Sequence, residues 1–282
     1  WEILENGTAL AEKGSLISVG KIEGNKVKVT GNGKRGNALV VLKDTKGTIL
    51  WSWHIWVVKG NLKEQTFENL SNKPTFHNLN LGATTGTFNA TNAIGLYYQY
   101  GRKDPFVIRT DAFTVTKSGD YSTADVEITD VEVRTSDNSN MSWTIKNPSK
   151  RIVYTETASG NPPKGFYNWL SPTAEIESNW GSPGKVTSID ECAVSKGGYK
   201  TIYDPCPAGY RVPDYYYFTG LTAANGTGES GKGVKFTVAD GVEAVYPFPG
   251  TLSVEYKDKG AFYYNYRGFC RAEHKAQQYC ET

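Results

Sequence analysis

The sequence has few of the residues that most often carry enzyme chemistry. Its 282 residues include only three histidines and one methionine, so a histidine-based metal site or general base has few candidates. The motifs GxSxG and HExxH and the EF-hand calcium loop are also missing. We therefore predict a protein that is not an enzyme and that holds no metal and no cofactor.

Net charge and long apolar segments are also nearly absent. Lys and Arg total 31 and Asp and Glu total 29, which gives a formal net charge of +2. Such a balance offers no electrostatic case for nucleic acid or an anionic membrane surface. The longest apolar stretch, Ile49–Val58, is interrupted by Ser52 and His54, whereas a membrane-spanning helix needs about 20 residues. We expect neither a nucleic-acid partner nor a membrane-spanning segment.

Glycine and aromatic residues, in contrast, are abundant. The chain has 30 Gly, 18 Tyr, 11 Phe and 7 Trp, a composition that favours a strand-rich fold with many turns. Apolar alternation predicts strands at Lys21–Thr30, Asn37–Leu42 and Ile49–Val58, and Lys46-Gly47 suits a hairpin turn between the last two. Further strands are predicted around Val234–Val238 and Leu252–Tyr256.

Helical patterns are few and short. The best ones run from Pro213 to Leu221 and from Pro172 to Ser178, each with proline at an early position. The stretch Asn225–Gly233 is predicted to be a loop because of its glycines. The fold class predicted from these patterns is α+β and β-rich, with few short helices.

The tryptophan-rich strand is the most distinctive predicted element. In Ile49–Val58 both faces carry large apolar groups, so we expect a central strand that is covered on both sides. Trp51 and Trp53 are then expected to be mostly buried. His54 lies on the same strand and is interpreted as a packed sheet-face histidine rather than a catalyst.

Other candidate residues give weaker signals. His77 lies in a predicted loop, and His274 lies in the polar tail. The aromatic runs Tyr215–Tyr217 and Tyr263–Tyr266 suit either a strand interface or an exposed surface for sugar rings or a protein partner. The sequence assigns no catalytic residue, no metal ligand and no specific ligand-binding residue.

The four cysteines, Cys192, Cys206, Cys270 and Cys280, all lie in the last third of the chain. Their even number and clustering suit two structural disulfides and therefore an exported protein. The alternative is four reduced, buried thiols. A zinc site is disfavoured, because the sequence has no CxxC pair.

Four stretches, in this order, resemble a known family. They are Gly36–Val58 (GNALVVLKDTKGTILWSWHIWVV), Leu79–Phe106 with its strings NLGA and GLYYQYGRKDPF, Met141–Pro148 (MSWTIKNP) and Lys200–Pro213 (KTIYDPCPAGYRVP). Together they are similar to fimbrillin-type surface proteins of Bacteroides-like bacteria. The last stretch resembles the CPxGWxVP signature of the Fibrobacter succinogenes major paralogous domain, with Tyr210 in place of its tryptophan.

The resemblance implies a C-type-lectin-like domain over residues 61–282, with insertions, preceded by a β-strand region over residues 1–60 that is joined to it. It implies a non-enzymatic adhesion component of the cell surface, the outer membrane or a fimbrium. Expected partners are other pilus or surface subunits, or glycans or proteins on host or bacterial surfaces. The physical roles of the motifs are structural: Gly101–Pro105 predicts a turn with a local ion pair, and Asp204–Pro207 a rigid extended entry.

Two further points follow from the resemblance. It implies the pairing Cys206–Cys280 with Cys192–Cys270, and the nested pattern Cys192–Cys280 with Cys206–Cys270 is the alternative. Two other functions also stay open. One is a carbohydrate-binding module without calcium, since the EPN, QPD and WND strings of calcium-dependent lectins are missing. The other is an enzyme of the formylglycine-generating type, which needs reactive cysteines in a cleft.

Overall fold

The structure is a computed structural model, and it is rich in strands. It describes residues 2–4, 16–60, 62–87, 93, 95–99, 101–106, 114–118, 121–127, 131–134, 139–154, 170, 176–181, 198–213, 217, 226–229, 233–239, 242–247, 251–254 and 259–264. Within these residues the secondary structure is mostly β, with one α-helix and one 3-10 helix at Ile176–Trp180. The prediction of a β-rich chain with few short helices is confirmed.

The strands are short, and a single α-helix, α1 (Ser139–Lys146), interrupts their order. They are β1 (Glu2–Leu4), β2 (Ile17–Glu23), β3 (Lys26–Gly31), β4 (Gly36–Lys43), β5 (Ile49–Val57), β6 (Glu64–Thr66), β7 (Thr75–His77), β8 (Tyr97–Tyr98), β9 (Pro105–Phe106), β10 (Thr114–Ser118), β11 (Tyr121–Glu127), β12 (Val131–Arg134), β13 (Arg151–Tyr154), β14 (Gly226–Glu229), β15 (Gly233–Ala239), β16 (Val242–Pro247), β17 (Thr251–Val254) and β18 (Lys259–Tyr264).

These strands form several small sheets instead of one large one. Two sheets have three strands, in the orders β1-β4-β5 and β14-β15-β16, and one has four, β10-β11-β18-β17. The pairs β2-β3, β6-β7, β8-β9 and β12-β13 stand as two-stranded units. All described pairings are antiparallel except the one between β12 and β13.

The β4–β5 hairpin forms where the sequence predicts it. The Asp44 carboxylate accepts hydrogen bonds from the backbone N–H groups of Lys46 and Thr48, at 2.9 and 2.8 Å. Gly47 has a φ of 85°, a left-handed conformation that glycine adopts without a Cβ penalty. The predicted turn at Lys46-Gly47 is therefore confirmed.

The predicted central position of β5 is wrong. Among the described residues β5 pairs only with β4 and lies at the edge of its sheet. Trp53 is 37% exposed and Trp51 is partly buried, so the expectation that both are mostly buried is also wrong for Trp53. Other parts of the chain cover only part of the apolar faces that suggested a central strand.

Each face of the β4–β5 hairpin packs against a different cluster. On one face Ala38 and Val40, with the partly buried Ile55 and Val57, pack against residues of the β2–β3 hairpin such as Ile17. On the other face Leu39 packs with residues from distant segments of the chain. These are Leu81, Leu96, Tyr98 and Trp180, with the partly buried Trp56, Cys206 and Val212. The prediction that β5 is covered on both sides is confirmed for this part of the strand.

The predicted strand Lys21–Thr30 is in fact two strands. Gly24 has a φ of 63° and ends β2, and the chain turns back into β3. The pattern from Val27 to Thr30 fits β3, whereas the turn at Gly24-Asn25 was not predicted.

A third cluster joins segments that are far apart in sequence. Phe67, Leu70 and Phe76 around β6 and β7 pack with Phe236 and Val238 of β15. The Asn69 side-chain amide donates to the Thr237 carbonyl at 2.7 Å, and the Glu68 N–H donates to the Val238 carbonyl at 2.9 Å. The loop after β6 is thereby fixed to the second half of the chain.

The remaining predicted elements have mixed outcomes. The strands predicted at Val234–Val238 and from Leu252 correspond to β15 and β17. The loop predicted at Asn225–Gly233 contains β14 and is wrong there. Only Ile176–Ser178 of the second predicted helix is described, and it belongs to the 3-10 helix. Most of the predicted helix Pro213–Leu221 lies outside the described residues.

None of the helices among the described residues is long and apolar enough to cross a membrane.

Candidate functional site

The four motif stretches come together around the β4–β5 hairpin. The NLGA segment docks on it through two side chains of the hairpin: the Asn37 amide donates to the Gly82 carbonyl at 2.7 Å, and the Trp56 indole N–H donates to the Ala83 carbonyl at 2.8 Å. Gly82 has a φ of 86°, and a Cβ there would lie 2.6 Å from Leu96 Cγ. This close approach requires glycine.

His54 is fixed between the hairpin and the segment that contains Tyr98. Its Nε2 lies 2.9 Å from Asn37 Oδ1, and its Nδ1 lies 3.0 Å from the Tyr98 hydroxyl. Because the Asn37 amide nitrogen donates to Gly82, its oxygen accepts from His54 Nε2–H, and Nδ1 then accepts from Tyr98. Burial lowers the pKa of His54 from 6.5 to about 4. The neutral ring connects strands, in agreement with the sequence interpretation.

Arg102 joins the GRKD turn to the end of α1. Its guanidinium donates to the Lys150 carbonyl at 2.6 Å, to the Asn147 carbonyl at 3.2 Å and to the Pro148 carbonyl at 3.3 Å. The residue is 4% exposed. These acceptors lie just beyond the C-terminus of the helix, where the helix dipole favours a positive charge. The motifs GRKDPF and MSWTIKNP therefore bind each other.

Gln99 and Trp180 extend this contact. The Gln99 side chain exchanges two hydrogen bonds with the backbone of Ile152, at 2.9 and 3.2 Å, as a neighbouring strand would. The Trp180 indole N–H donates to the Arg102 carbonyl at 3.1 Å. Buried polar groups of this kind need such partners, because an unpaired one costs about 1–3 kcal/mol.

Lys103, Asp104 and Ser52 form the most chemically suggestive cluster. The Lys103 ammonium lies 2.7 Å from both carboxylate oxygens of Asp104 and donates to the Ser52 carbonyl at 2.9 Å and to its hydroxyl. The Ser52 hydroxyl donates to Asp104 Oδ1 at 2.8 Å. The ammonium also lies 4.6 Å from the ring centre of Trp51. The ion pair predicted in the Gly101–Pro105 turn is confirmed.

A serine next to a lysine can act as a nucleophile when the lysine is neutral. Here burial lowers the pKa of Lys103, while the neighbouring Asp104 opposes that effect. Ser52 is 2% exposed and Asp104 is 4% exposed, so the hydroxyl has no access for a substrate in this arrangement. The cluster ties the turn to the edge strand β5, where a lysine also discourages pairing with a further strand.

The CPAGYRVP segment is organised by Asp204. One of its carboxylate oxygens accepts from the Cys206 N–H at 2.8 Å and from the Lys200 ammonium at 2.9 Å, and the other accepts from the Val212 N–H at 2.8 Å. Gly209 has a φ of 87°, and the Tyr210 N–H donates to the Pro207 carbonyl at 3.1 Å. The turn predicted at Ala208-Gly209 is confirmed, and the hydrogen bonds of the Asp204 side chain close the loop around it.

Cys206 packs against the cluster around Leu39. Burial raises the pKa of its thiol far above the ordinary value, and the nearby Asp204 adds to this effect. A thiol in this environment is a poor nucleophile, because the reactive species is the thiolate. The predicted partners Cys192, Cys270 and Cys280 lie outside the described residues, so both disulfide patterns stay predictions.

His77 lies under the aromatic residue that replaces the tryptophan of the signature. Its ring centre is 3.7 Å from that of Tyr210, and Trp56 meets it edge-on at 6.2 Å. It is 4% exposed, and neither ring nitrogen has a hydrogen-bond partner among the residues that the structure describes. Burial lowers its pKa, partly opposed by Glu64, which accepts a hydrogen bond of 2.6 Å from the Tyr210 hydroxyl. The predicted loop at His77 is instead the end of β7.

An exposed aromatic surface near β5 is a feature that suits recognition. Trp51 and Trp53 share a face of β5 by strand alternation, and the ring centre of Tyr203 lies 6.3 Å from that of Trp51 at an angle of 46°. Ile202 is 69% exposed and Tyr199 is 57% exposed. We call Trp51, Trp53 and Tyr203 the aromatic surface. The sequence offered no signal for it, since the WSW string was expected to be buried.

The two aromatic runs, Tyr215–Tyr217 and Tyr263–Tyr266, lie only partly within the described residues. Tyr217 is partly buried against the Phe67 cluster and lies under the Arg211 guanidinium at 5.5 Å from its ring centre. Tyr263 and Tyr264 belong to β18. Tyr215, Tyr216, Tyr266 and His274 lie outside the described residues.

The glycines of Gly226–Gly231 match the spacing GxGxxG, which the sequence reading overlooked. A nucleotide-binding loop of that type connects a strand to a helix. Here Gly226–Glu229 is β14, and it pairs antiparallel with β15 at Gly233–Ala239. The described part of the match therefore lies in an antiparallel strand and not at a strand-to-helix connection.

Within the described part of the chain, no three His, Cys, Asp or Glu side chains lie close enough to hold a metal ion. The arrangement instead uses its polar side chains to connect segments of the fold. A comparison with protein-family models, with curated proteins and with solved structures found no match to this chain.

Proposed function

We propose that the protein is a non-enzymatic adhesion component of a bacterial cell surface or fimbrium, with a C-type-lectin-like portion. The observation that supports this most is the use of the motif residues. Asn37, Arg102, Lys103 and Asp204 all bind other segments of the same chain. Residues that hold a surface domain together need no substrate and no cofactor.

The environment of the candidate nucleophiles also favours a binding protein over an enzyme. A formylglycine-generating-type enzyme needs reactive cysteines, whereas burial and Asp204 hold the pKa of Cys206 high. The hydroxyl of Ser52 is buried between Lys103 and Asp104. Both groups are better explained as parts of the core.

A second candidate function, calcium-independent carbohydrate binding, is favoured by the aromatic surface. Aromatic rings at a protein surface can stack on the apolar faces of sugar rings, and exposed aromatics are enriched where proteins bind ligands. Trp53 is 37% exposed and follows Trp51 on the same strand face. Such a module is compatible with an adhesive surface protein.

The test for surface location is antibody labelling of intact cells of the source organism, with and without external protease. An adhesion component is labelled on intact cells and lost after protease treatment. Labelling only after cell lysis would exclude the proposal.

The test for carbohydrate recognition is binding of the purified chain to a panel of immobilised glycans and matrix proteins. Trp53→Ala is expected to weaken binding by roughly tenfold, since a stacked aromatic ring contributes about 1–2 kcal/mol. Leu50→Ala is the control, because Leu50 is also exposed, at 50% against 37% for Trp53, and is not part of the aromatic surface. Equal effects of the two variants would argue against the aromatic surface.

A further inference from the structure

The near-zero net charge of the chain conceals a strongly basic segment. Residues 16–63 contain nine Lys or Arg residues but only two acidic ones, Glu23 and Asp44, which gives this segment a net charge of +7. Since the whole chain has +2, all other residues together have −5. The nearly neutral chain therefore has a strong local asymmetry of charge.

Five of these basic residues lie on the β2–β3 hairpin and the turn that follows it. All of them are exposed, and none forms an ion pair with an acidic residue in the described part of the chain. They are Lys21, Lys26, Lys28, Lys34 and Arg35. We call these five residues the basic surface. The same segment, residues 17–36, holds a single acidic residue, Glu23.

The packing of the hairpin explains why its lysines face outward. Val19 and Val29 pack toward the β4–β5 hairpin, so strand alternation places Lys26, Lys28 and Thr30 on the opposite face. The two lysines are two residues apart on β3, a separation of about 7 Å. A Cβ at Gly20 would lie 3.5 Å from Lys28 Cβ, so the lack of a side chain there leaves the stem of Lys28 uncrowded.

We propose that the basic surface of the β2–β3 hairpin binds a linear acidic polysaccharide, one with carboxylate or sulfate groups repeated along its length. The repeated positive charges complement such a polymer, and the exposed hydroxyls of Ser18 and Thr30 on the hairpin can bond sugar hydroxyls. This inference rests on the proposed adhesive role, because that role brings the protein into contact with polysaccharides at a cell surface.

The hairpin is less suited to the other polyanions. Residues 17–36 contain no aromatic side chain, whereas single-stranded nucleic acids are bound by aromatic residues that stack on the bases. Binding in a membrane surface needs a broad apolar face beside the charges, and the hairpin exposes one large apolar residue, Ile22. A hydrophilic acidic polymer needs neither feature.

The test measures binding of the intact chain to dextran sulfate and to neutral dextran by isothermal titration calorimetry. We expect the chain to bind dextran sulfate and not to bind neutral dextran. The affinity should fall by roughly tenfold or more between about 50 and about 200 mM NaCl, because counterions are released and charges are screened. Single-stranded DNA and phosphatidylserine vesicles are the comparison polyanions, and both are expected to bind more weakly than dextran sulfate at equal charge concentration.

The variant Lys26→Glu/Lys28→Glu locates the site. It is expected to weaken binding to dextran sulfate by roughly tenfold, because two charges of the surface are reversed. Lys59→Glu/Lys63→Glu is the control with the same charge change, since both residues are exposed but lie outside the hairpin, and it should change the affinity by less than about twofold. Thermal unfolding of both variants, followed by circular dichroism, checks that they are folded.

Three outcomes would contradict the inference, and a fourth would contradict only the adhesive role. Equal losses in the two variants would mean that binding follows total charge and not the hairpin. Stronger binding to DNA or to vesicles would replace the polysaccharide by another partner. A chain that binds no dextran sulfate yet is labelled on intact cells would refute this inference and leave the adhesive role standing, whereas binding without surface labelling would do the reverse.

Discussion

At the scale of single residues, a neutral, partly buried histidine links two parts of the fold. His54 accepts from Tyr98 and donates to Asn37, and both contacts fix the neutral ring. If Nδ1 bound a proton, it could no longer accept the hydrogen bond from the Tyr98 hydroxyl. The stability of this region is therefore expected to depend on pH.

The first prediction concerns that dependence. The pKa of His54 is about 4 in the folded chain and about 6.5 when unfolded. Below pH 6.5 the unfolded state binds the proton more readily, so stability is fully present above that pH and is lost as the pH falls toward 4. The loss from this residue is about 3 kcal/mol. It is measured as the free energy of unfolding by urea at several pH values.

The control for this prediction is His54→Gln. The variant is expected to be less stable at pH 7 but to lose less stability on acidification than the natural sequence. If both proteins lose the same free energy between pH 7 and pH 4, His54 is not the residue responsible. His77 shifts in the same direction and adds to the acid sensitivity of both proteins equally.

At the scale of elements, the end of α1 depends on a side chain from another segment. Arg102 donates to carbonyls at Asn147, Pro148 and Lys150. The helix has eight residues, too few to be stable alone in water. Its stability must come from contacts such as this one.

The second prediction is that Arg102→Met lowers the free energy of unfolding by about 3–5 kcal/mol, because buried carbonyls lose charge-assisted hydrogen bonds. Hydrogen exchange should speed up most between residues 139 and 154. Arg35→Met is the control, since Arg35 is exposed and makes one contact of 3.5 Å, and it should change stability by less than about 0.5 kcal/mol. Faster exchange spread evenly over the chain would contradict a role at α1.

Local turns were predictable from the sequence, but the neighbours of each strand were not. Lys46-Gly47 and Ala208-Gly209 contain the glycines that their turns need, and such signals are local. The edge position of β5 depends instead on Lys103, about fifty residues away, and on the hairpin β2–β3. A strand with two apolar faces has the same pattern whether strands or other elements cover it.

In the candidate site, too, local contacts were predictable from the sequence and long-range contacts were not. The sequence predicted the ion pair in the Gly101–Pro105 turn, since its residues are adjacent. It did not predict that Ser52 and Trp51 would surround Lys103, nor that Trp53 would be exposed. The basic surface was visible in the sequence, but only a count over residues 16–63 reveals it.

At the scale of the whole molecule, the described segments are held together by buried polar contacts between motifs. Asn37 binds Gly82, Arg102 binds the end of α1, and Trp180 binds Arg102. The small sheets each have few strands, so they cannot stand alone and depend on these links. We expect the charged motif residues to stabilise the fold through these contacts.

The most direct test of this claim is a double-mutant cycle on Lys103 and Asp104, measured as the free energy of unfolding by urea. The side chains of the pair are 9% and 4% exposed. Lys103→Met or Asp104→Asn alone leaves a buried group without its charge partner and is expected to cost about 3–5 kcal/mol. The double variant should cost less than the sum of the two by about 1–3 kcal/mol. Single variants that lose under about 1 kcal/mol, with no coupling between them, would contradict the claim that this pair stabilises the fold.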